Sequence, residues 1–342
     1  MVELPEDPWQ VDAADFPTDA PIAEQLAFLL NYACLAPTGH ATHPYLFRIA
    51  GTAVEIWANG PSGLPVVDPR DRDLVTSCGA AVGHLEVALR HFGFVPDVEG
   101  SGDMSGRRPL ARVAVAGDAV PAAADGHLFR AIPARRQSLH PVVAAEDAPH
   151  DPLGECRAAA QARGVTFTAV TDPGASMRVA DLASAACRSQ FANPAFPGEL
   201  AAWMRAHRTG ADSAGRRGYG MPDSLSTRSA MMTRCESLGA TDSGAAAPTA
   251  DPPVLAVLST ETDTPADWLN TGRVLSRIQL TLSTAGLTGA YLSEPVEADH
   301  IRPELRAAVP QAGFPQIVLH IARGAAIPPA GRQPVGDLLM RS

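Results

Sequence analysis

The sequence predicts an α+β fold in which two similar halves each place an antiparallel sheet beneath helices. One observation is a β-hairpin, because Tyr45–Ile49 and Val54–Trp57 alternate in polarity around a turn at 50–52. Another is an order of elements that occurs twice: a helix, a glycine-containing cap, and then a strand. The two copies are Leu85–Phe94 before Leu110–Ala116, and Ile278–Leu287 before Ile317–Ala322. This repetition indicates internal duplication, although few residues are identical between the copies.

Capping residues and apolar spacing predict the other elements. Asp19 and Pro21 supply the start of a helix that Pro37 ends. Apolar residues recur at helical spacing from Leu74 to Phe92, before Gly93. In the second half we expect two helices within 177–206 broken near Asn193, a strand at Val254–Ser259, and a helix from Trp268 to Leu282 closed by Gly286.

Composition divides the chain into an arm, two halves and a loop. Residues 1–18 are polar and contain proline, which is typical of an arm. The first half is expected to cover 19–125 and the second 126–342, with the boundary near Asp118–Ala131. Residues 207–251 show weak periodicity and predict a long mobile loop, which could act as a lid. Two packed halves would form a pseudo-dimer with ligand sites at the joint, so we expect a monomer.

The composition excludes several classes of protein. A formal charge of −10 over 342 residues argues against nucleic acid as a partner. The sequence contains no apolar run of the roughly 20 residues that span a bilayer, and the acidic N-terminal stretch does not resemble a signal peptide. We therefore expect a cytoplasmic protein that does not enter a membrane. The chain contains no lysine, which excludes Schiff-base chemistry through a lysine.

Cysteine and histidine spacing offers no metal site. The five cysteines form no C-x-x-C pair, so buried free thiols are expected rather than a disulfide framework or a zinc site. The ten histidines form no pair at helical metal-ligand spacing. We therefore predict no metal.

Two segments near the start of the chain carry a family resemblance. Residues 36–47 read APTGHATHPYLF, and Asp68–Ala81 match the pattern D-P-x-x-R-x-L-V-x-S-C-G-A-A. Together they resemble the nitroreductase superfamily, and more narrowly its Acg-like long-chain branch of actinobacteria, in which two nitroreductase-like halves are fused. The resemblance implies the FMN-dependent nitroreductase-like fold and FMN as cofactor, with NAD(P)H as possible electron donor.

In the family the first motif forms a turn against the flavin. The resemblance therefore assigns cofactor contacts to four residues of the turn. Three positions differ from the family pattern: Ala41 replaces Asn, His43 replaces Gln, and Tyr45 replaces Trp. The four turn residues with assigned cofactor contacts are Pro37, Thr38, Gly39 and His40.

The second motif predicts the tightly packed start of a helix, so the Cys78 side chain is expected to be buried in packing contacts rather than to react.

A third motif opens the second half, where the family typically has R-R-T-N-R-R-P-F and this chain has RRQSLHP at 135–141. The family's arginines hold the FMN phosphate, for which a planar guanidinium is well suited. Leu139 and His140 replace two basic residues of the family pattern, which lowers the expected affinity for FMN. The remaining phosphate-binding candidates, including two later arginines, are Arg135, Arg136, Ser138, Arg323 and Arg332.

The sequence favours an FMN-dependent oxidoreductase that passes hydride through flavin N5 to or from a small organic substrate. Arg188 and Gln190 match a family motif expected at the substrate face. Two alternatives remain. One is a protein that binds and sequesters flavin without turnover. The other is a divergent enzyme without flavin that reuses the cleft for histidine acid/base catalysis. The candidate catalytic residues are His43, Tyr45 and His140.

Overall fold

The computed structural model describes residues 5–39, 42–135, 141–143, 151–199, 254–309, 313–324 and 331–340. Its helices are α1 Ile22–Ala33, α2 Arg72–His91, α3 Ala123–Ala134, α4 Pro152–Gln161, α5 Pro173–Ala192, α6 Pro265–Thr284, α7 Glu294–Glu297, α8 Arg302–Ala308 and α9 Val335–Leu338, and residues 195–199 are also helical. Its strands are β1 Tyr45–Ala50, β2 Ala53–Ala58, β3 Phe94–Gly100, β4 Ala111–Asp118, β5 Pro141–Val143, β6 Thr166–Val170, β7 Val254–Thr260, β8 Thr288–Tyr291 and β9 Phe314–Gly324.

The first sheet is antiparallel with the order β1-β2-β4-β3. It contains the predicted hairpin, in which Tyr45 pairs with Ala58 and Ala50 with Ala53. The segment around Leu339 joins the outer side of β1, where the Met340 amide donates to the Phe47 carbonyl at 2.8 Å. The segment at 339–340 thus contacts the first sheet. The residues just before it, including Arg332, are thereby brought to the same region.

The second sheet is also antiparallel and has five strands, in the order β5-β9-β7-β6, with β8 paired to the central β9. Its buried faces are rich in β-branched and other apolar residues, as is expected for strands covered by helices. Two antiparallel sheets with covering helices confirm the predicted α+β class and are consistent with two nitroreductase-like halves.

Among the described residues, the most extensive contact between two elements joins α2 to α6, which run side by side in the same direction. Gly79 faces Gly272 and Gly83 faces Ser276, so partner numbers rise together along both helices. The alignment that places Leu85 on Ile278 also places Gly79 on Gly272. The two copies of the repeated pattern therefore meet through equivalent positions.

The described part of the N-terminal arm packs on the first half. Asp7 and Asp12 each cap a short 3₁₀ turn, at Pro8–Gln10 and Ala13–Asp15. Phe16 then stacks on Phe92 with ring centroids 4.1 Å apart. Residues 5–18 are consequently part of the folded core rather than a free extension.

Several element boundaries differ from the sequence expectation. Helix α1 ends at Ala33, before Pro37, and the Cys34 amide closes it by donating to the Leu30 carbonyl. The break near Asn193 is confirmed, but α5 begins earlier, at Pro173. The predicted loop at 207–251 lies outside the described residues. None of the helices in the described ranges is long and apolar enough to cross a lipid bilayer.

The expectation of free thiols holds for three cysteines and is wrong for one. Cys34, Cys78 and Cys156 are free and buried, whereas Cys187 on α5 is disulfide-bonded.

Candidate functional site

The turn that carries the first motif is seated on the start of α2. The Asp73 carboxylate occupies the place where a Cβ atom on Gly39 would lie, so only glycine allows this approach. The Gly39 amide donates to the Ser77 hydroxyl at 3.2 Å. The next residue of α2, Cys78, donates its thiol to the Pro44 carbonyl. The first two motifs therefore form one packed unit.

The Asp68 side chain organises the start of the second motif. Its carboxylate accepts hydrogen bonds from the amides of Arg72 at 2.9 Å, Asp73 at 2.7 Å and Leu74 at 3.1 Å. These are amides that the first turn of a helix leaves without intrahelical partners. Burial raises the pKa of Asp68, while these hydrogen bonds and the Arg72 charge oppose the rise. Asp68 therefore fixes where α2 begins.

Two buried arginines reach this region from different parts of the chain. Arg135, at the C-terminus of α3, is 3% exposed and donates to the Leu35 carbonyl at 2.9 Å. Arg332, just before α9, is 6% exposed and donates to the Gly331 carbonyl at 3.2 Å. The Arg332 guanidinium also lies 5.6 Å from the Trp9 ring centroid. Its Nε atom has no hydrogen-bond partner among the described residues.

The charges of Arg135 and Arg332 shift the pKa values of the same buried side chains. Burial raises the pKa of Tyr45 and of Tyr291, and the charges of Arg135 and Arg332 pull it back down. Burial lowers the pKa of His84, and both arginines lower it further. Two guanidinium charges are therefore concentrated in one low-dielectric region.

In the part of the chain that the structure describes, no carboxylate is among the groups that shift the pKa of Arg332. Burial lowers its pKa, and the groups that oppose this are Tyr45, Cys34 and Tyr291. All three are neutral at pH 7, since burial raises the pKa of each above its usual value. A buried arginine without a carboxylate partner leaves a positive charge that an anionic ligand can balance.

A crevice lies between the start of α2 and the region from β8 to α7. Asp73 and Tyr291 link it to the motif turn and to the two arginines. The Arg72 guanidinium at its wall donates to the Val296 carbonyl at 2.5 Å. The crevice is lined by Arg72, Asp73, Thr76, Tyr291, Leu292, Ser293, Val296, Glu297, Gln316, Ile317 and Val318.

A buried ion-pair network supports one wall of the crevice. Arg302 on α8 donates to both oxygens of Asp263, at 2.6 and 2.8 Å, and to Gln316 at 3.0 Å. Trp268 donates to the same carboxylate at 2.7 Å. Burial opposes ionisation of Asp263, but hydrogen bonds from Arg302, Trp268 and Gln316 outweigh burial and hold the pKa of Asp263 below its usual range.

The structure brings together most of the predicted turn residues that it describes. Thr38 is buried, and its hydroxyl oxygen has no partner among the described residues. His43 is 2% exposed, with a positive φ of 44°, which is uncommon outside glycine. Tyr45 is fully buried and donates to the Cys34 carbonyl at 3.2 Å, so its hydroxyl is engaged in packing. Pro37, next to Thr38, is buried as well.

Of the two residues predicted at the substrate face, one contacts the crevice and the other does not. Gln190 donates to Glu297 at 2.7 Å and so contacts a wall of the crevice. Arg188 donates to Ser184 one turn earlier on α5 and does not line the crevice. Only the backbone of Arg323 is described; it pairs with Val143. His40, Ala41, Arg136, Ser138, Leu139 and His140 lie outside the described residues.

Sequence reasoning missed two residues of the crevice. Asp73 occupies a variable position of the second motif, and Tyr291 belongs to no motif. The helical spacing of Asp73 from Ser77 could have placed it on the face of α2 that meets Gly39. In the described ranges, no three histidine, cysteine or acidic side chains converge as metal ligands.

Two proteins of Mycobacterium tuberculosis align with nearly the whole chain. One, named "Putative NAD(P)H nitroreductase" in strains CDC 1551 and H37Rv, is 28% identical over 327 residues, which cover 94% of this chain and 93% of the relative. The other, named "Uncharacterized protein", is 26% identical over 327 residues, or 90% of each chain. No protein-family model matches. Over nearly its whole length the chain is therefore similar to these two proteins, one of which is named a putative NAD(P)H nitroreductase.

Proposed function

We propose that the chain is an FMN-dependent oxidoreductase that takes electrons from NAD(P)H and passes them to a small organic acceptor. The observation that carries this proposal is Arg332, a buried guanidinium with an unsatisfied Nε atom and no acidic neighbour among the described residues. An uncompensated buried charge costs several kcal/mol. The phosphate of FMN would supply the missing negative charge in a bidentate geometry that suits arginine.

The surrounding residues fit a flavin in three further respects. Thr38 offers a buried hydroxyl without a partner among the described residues. Gly39 lets the motif turn pack against Asp73 on α2, because it lacks a side chain, and so fixes the position of this turn. Arg135 supplies a second positive charge on the same side chains as Arg332. In this proposal Arg135 and Arg332 hold the phosphate, while Thr38 and Gly39 contact the ring system.

Bound FMN would accept and donate hydride at its ring; the protein supplies position and exclusion of water. The crevice beside Asp73 and Tyr291 is the proposed acceptor site, since it adjoins the motif turn. Gln190 orients Glu297 in the wall of that site. Tyr45 is proposed to hold the motif turn against Cys34 rather than to transfer protons, because its hydroxyl is buried and engaged.

The test compares Arg332→Met with the wild type in two measurements that are expected to move in opposite directions. The variant lacks the uncompensated buried charge, so the flavin-free protein should unfold at a higher temperature than the wild type. The same variant should bind FMN more weakly by on the order of 2–5 kcal/mol, because the phosphate loses its partner. FMN should therefore no longer raise its melting temperature.

Arg178→Met is the matched control, since Arg178 pairs with Glu304 at 3.3 Å on an exposed surface. It should change neither measurement. Wild-type FMN affinity in Arg332→Met would refute the proposed phosphate site. Flavin that is retained but not bleached by NADH or NADPH under anaerobic conditions would refute turnover and favour a flavin-sequestering protein.

A further inference from the structure

A group of arginine side chains surrounds the C-terminal half of α2 and the middle of α6, about 20 Å along α2 from the crevice. Glu86 on α2 is buried at the centre of this group and accepts hydrogen bonds from two guanidinium groups. Arg273 of α6 donates to it at 3.0 and 3.1 Å, and Arg163, which follows α4, donates at 3.1 Å. One carboxylate is therefore shared by two positive charges.

One helical turn further on, Arg90 and Arg277 extend the group. Arg90 follows Glu86 by four residues on α2, and so lies on the same helix face. Arg277 follows Arg273 by four residues on α6 in the same way. Because α2 and α6 run in the same direction, both steps lead the same way along the pair. Within the described ranges, neither Arg90 nor Arg277 forms an ion pair with a carboxylate.

Arg277 is half-buried and lies among charges of its own sign. Burial lowers its pKa, and the charges of Arg163 and Arg90 lower it further. Two carboxylates oppose this lowering from different helices, since Asp125 belongs to α3 and Glu155 to α4. Both of these helices pack against α6. Arg277 is therefore a half-buried cation whose nearest carboxylates stand outside ion-pair distance.

Among the described residues, the group carries more positive than negative charge. Burial lowers the pKa of His91, the Arg130 charge lowers it further, and the Asp125 charge raises it. Asp125 is consequently shared between Arg130 and Arg277. Five guanidinium groups thus accompany three carboxylates, which leaves two positive charges in excess in a chain whose formal net charge is −10. The carboxylates are those of Glu86, Asp125 and Glu155.

We propose that Arg90 and Arg277 form an anion site that binds the phosphate group of a small phosphorylated compound, or phosphate itself. Each planar guanidinium can donate two parallel hydrogen bonds to phosphate oxygens, and a dianion matches the two charges in excess. Arg163 and Arg273 remain paired with Glu86 and add positive potential beside the ligand. The site shares no residue with the crevice or with the proposed flavin site, so the inference does not depend on the proposed function.

Three probes test the chemistry of the site: inorganic phosphate, glycerol 3-phosphate and acetate. Dissociation constants are measured by calorimetry at pH 8 on the full chain without flavin. We expect both phosphates to bind at least about tenfold more tightly than acetate, which carries a single charge and two oxygens. Similar affinities for the two phosphates would identify free phosphate as the ligand, whereas tighter binding of glycerol 3-phosphate would identify an organic phosphate. Acetate that binds as tightly as phosphate, or no binding of either phosphate, would overturn the proposal.

Variants locate the bound phosphate. All of them are made in the Arg332→Met background, where phosphate cannot bind at the proposed flavin site. Arg277→Gln should raise the dissociation constant for phosphate at least about tenfold, because a charge-assisted hydrogen-bond donor is lost. Arg277→Lys should lose less, since it keeps the charge but not the planar fork. Arg178→Gln removes an exposed arginine elsewhere and should have no effect.

Glu155→Gln should act in the opposite direction. Glu155 is exposed on α4, so the variant should fold normally, and it removes a negative charge that acts on Arg277. Phosphate should then bind about two- to fivefold more tightly. Thermal unfolding of each variant shows that it is folded. An unchanged phosphate affinity in Arg277→Gln, or weaker binding in Glu155→Gln, would place the phosphate elsewhere and overturn the site. Failure of the protein to bind flavin would refute only the proposed function.

Discussion

Gly79 on α2 and Gly272 on α6 face each other where the two central helices lie closest. A Cβ atom on Gly272 would overlap the Thr76 carbonyl oxygen, which is backbone and cannot rotate away. We expect Gly272→Ala to lower the free energy of unfolding by about 3 kcal/mol, since the helices must move apart and give up packing along their length. Urea denaturation measures this change.

Gly336→Ala provides the control for that substitution. Gly336 also lies in a helix, but no atom lies within 4 Å of an added Cβ atom. The control should leave stability unchanged or raise it slightly, because alanine favours helix more than glycine does. Equal effects of the two substitutions would contradict the importance of close α2–α6 contact.

His84 predicts a fall in stability at mildly acid pH. It is fully buried, and its Nδ1 atom lies 2.7 Å from the Ser276 hydroxyl. Burial lowers its pKa well below the usual value of 6.5. Below pH 6.5 the unfolded chain binds a proton that the folded chain does not, so His84's contribution is fully present above pH 6.5 and is lost as the pH falls. The slope from this residue reaches about 1.4 kcal/mol per pH unit.

Replacing His84 with Gln should flatten this dependence by about one proton between pH 6.5 and pH 5, as measured by urea denaturation at each pH. Burial also lowers the pKa of His320, so His320 contributes to the pH dependence of both proteins. The difference in slope between variant and wild type therefore gives the contribution of His84 alone. His300→Gln, at an exposed position, should retain the wild-type slope. An identical slope in His84→Gln and the wild type would exclude His84 as its source.

Asp263 and Asp299 allow a largely buried ion pair to be compared with an exposed one. The Asp263 carboxylate accepts hydrogen bonds from Arg302, Trp268 and Gln316. Asp263→Asn should cost about 3–5 kcal/mol of stability, because Arg302 is left buried without its charge partner. Asp299 pairs with Arg70 at 3.2 Å, and both side chains are about half exposed. Asp299→Asn should cost less than about 1 kcal/mol in the same unfolding experiment.

The contact of Gly39 with Asp73 can be tested by a double-mutant cycle. Gly39→Ala should destabilise the protein, since the new methyl group overlaps the Asp73 carboxylate. Replacing Asp73 with Ala at the same time removes the overlap and should restore most of the loss, which thermal unfolding of the four proteins would show. If the two substitutions were simply additive, the Asp73 carboxylate would not be in contact with Gly39.

Local sequence signals were sufficient for elements with strong periodicity or capping. The hairpin around Gly51, the helices at α2 and α6, and the strand at β9 follow from alternation and helical spacing. Strand β3 was not predicted, because it contains Pro96 and Asp97, which are unfavourable in strands, and lies at a sheet edge that tolerates them.

The candidate site was predictable only where a motif marks it. Thr38, Gly39, Arg135 and Arg332 were identified through the family resemblance, and the structure packs Gly39 against α2 and buries both arginines together. Asp73 and Tyr291 were missed because their importance depends on contacts between residues far apart in sequence.

The α2–α6 pairing occurs within a single chain, and this has a consequence for dilution. In an association between separate chains, the partners dissociate once the protein concentration falls below the dissociation constant. Here the intervening polypeptide tethers the two helices, so each experiences the other at an effective concentration that dilution does not change. The contact between Gly79 and Gly272 should therefore persist at nanomolar and micromolar protein alike.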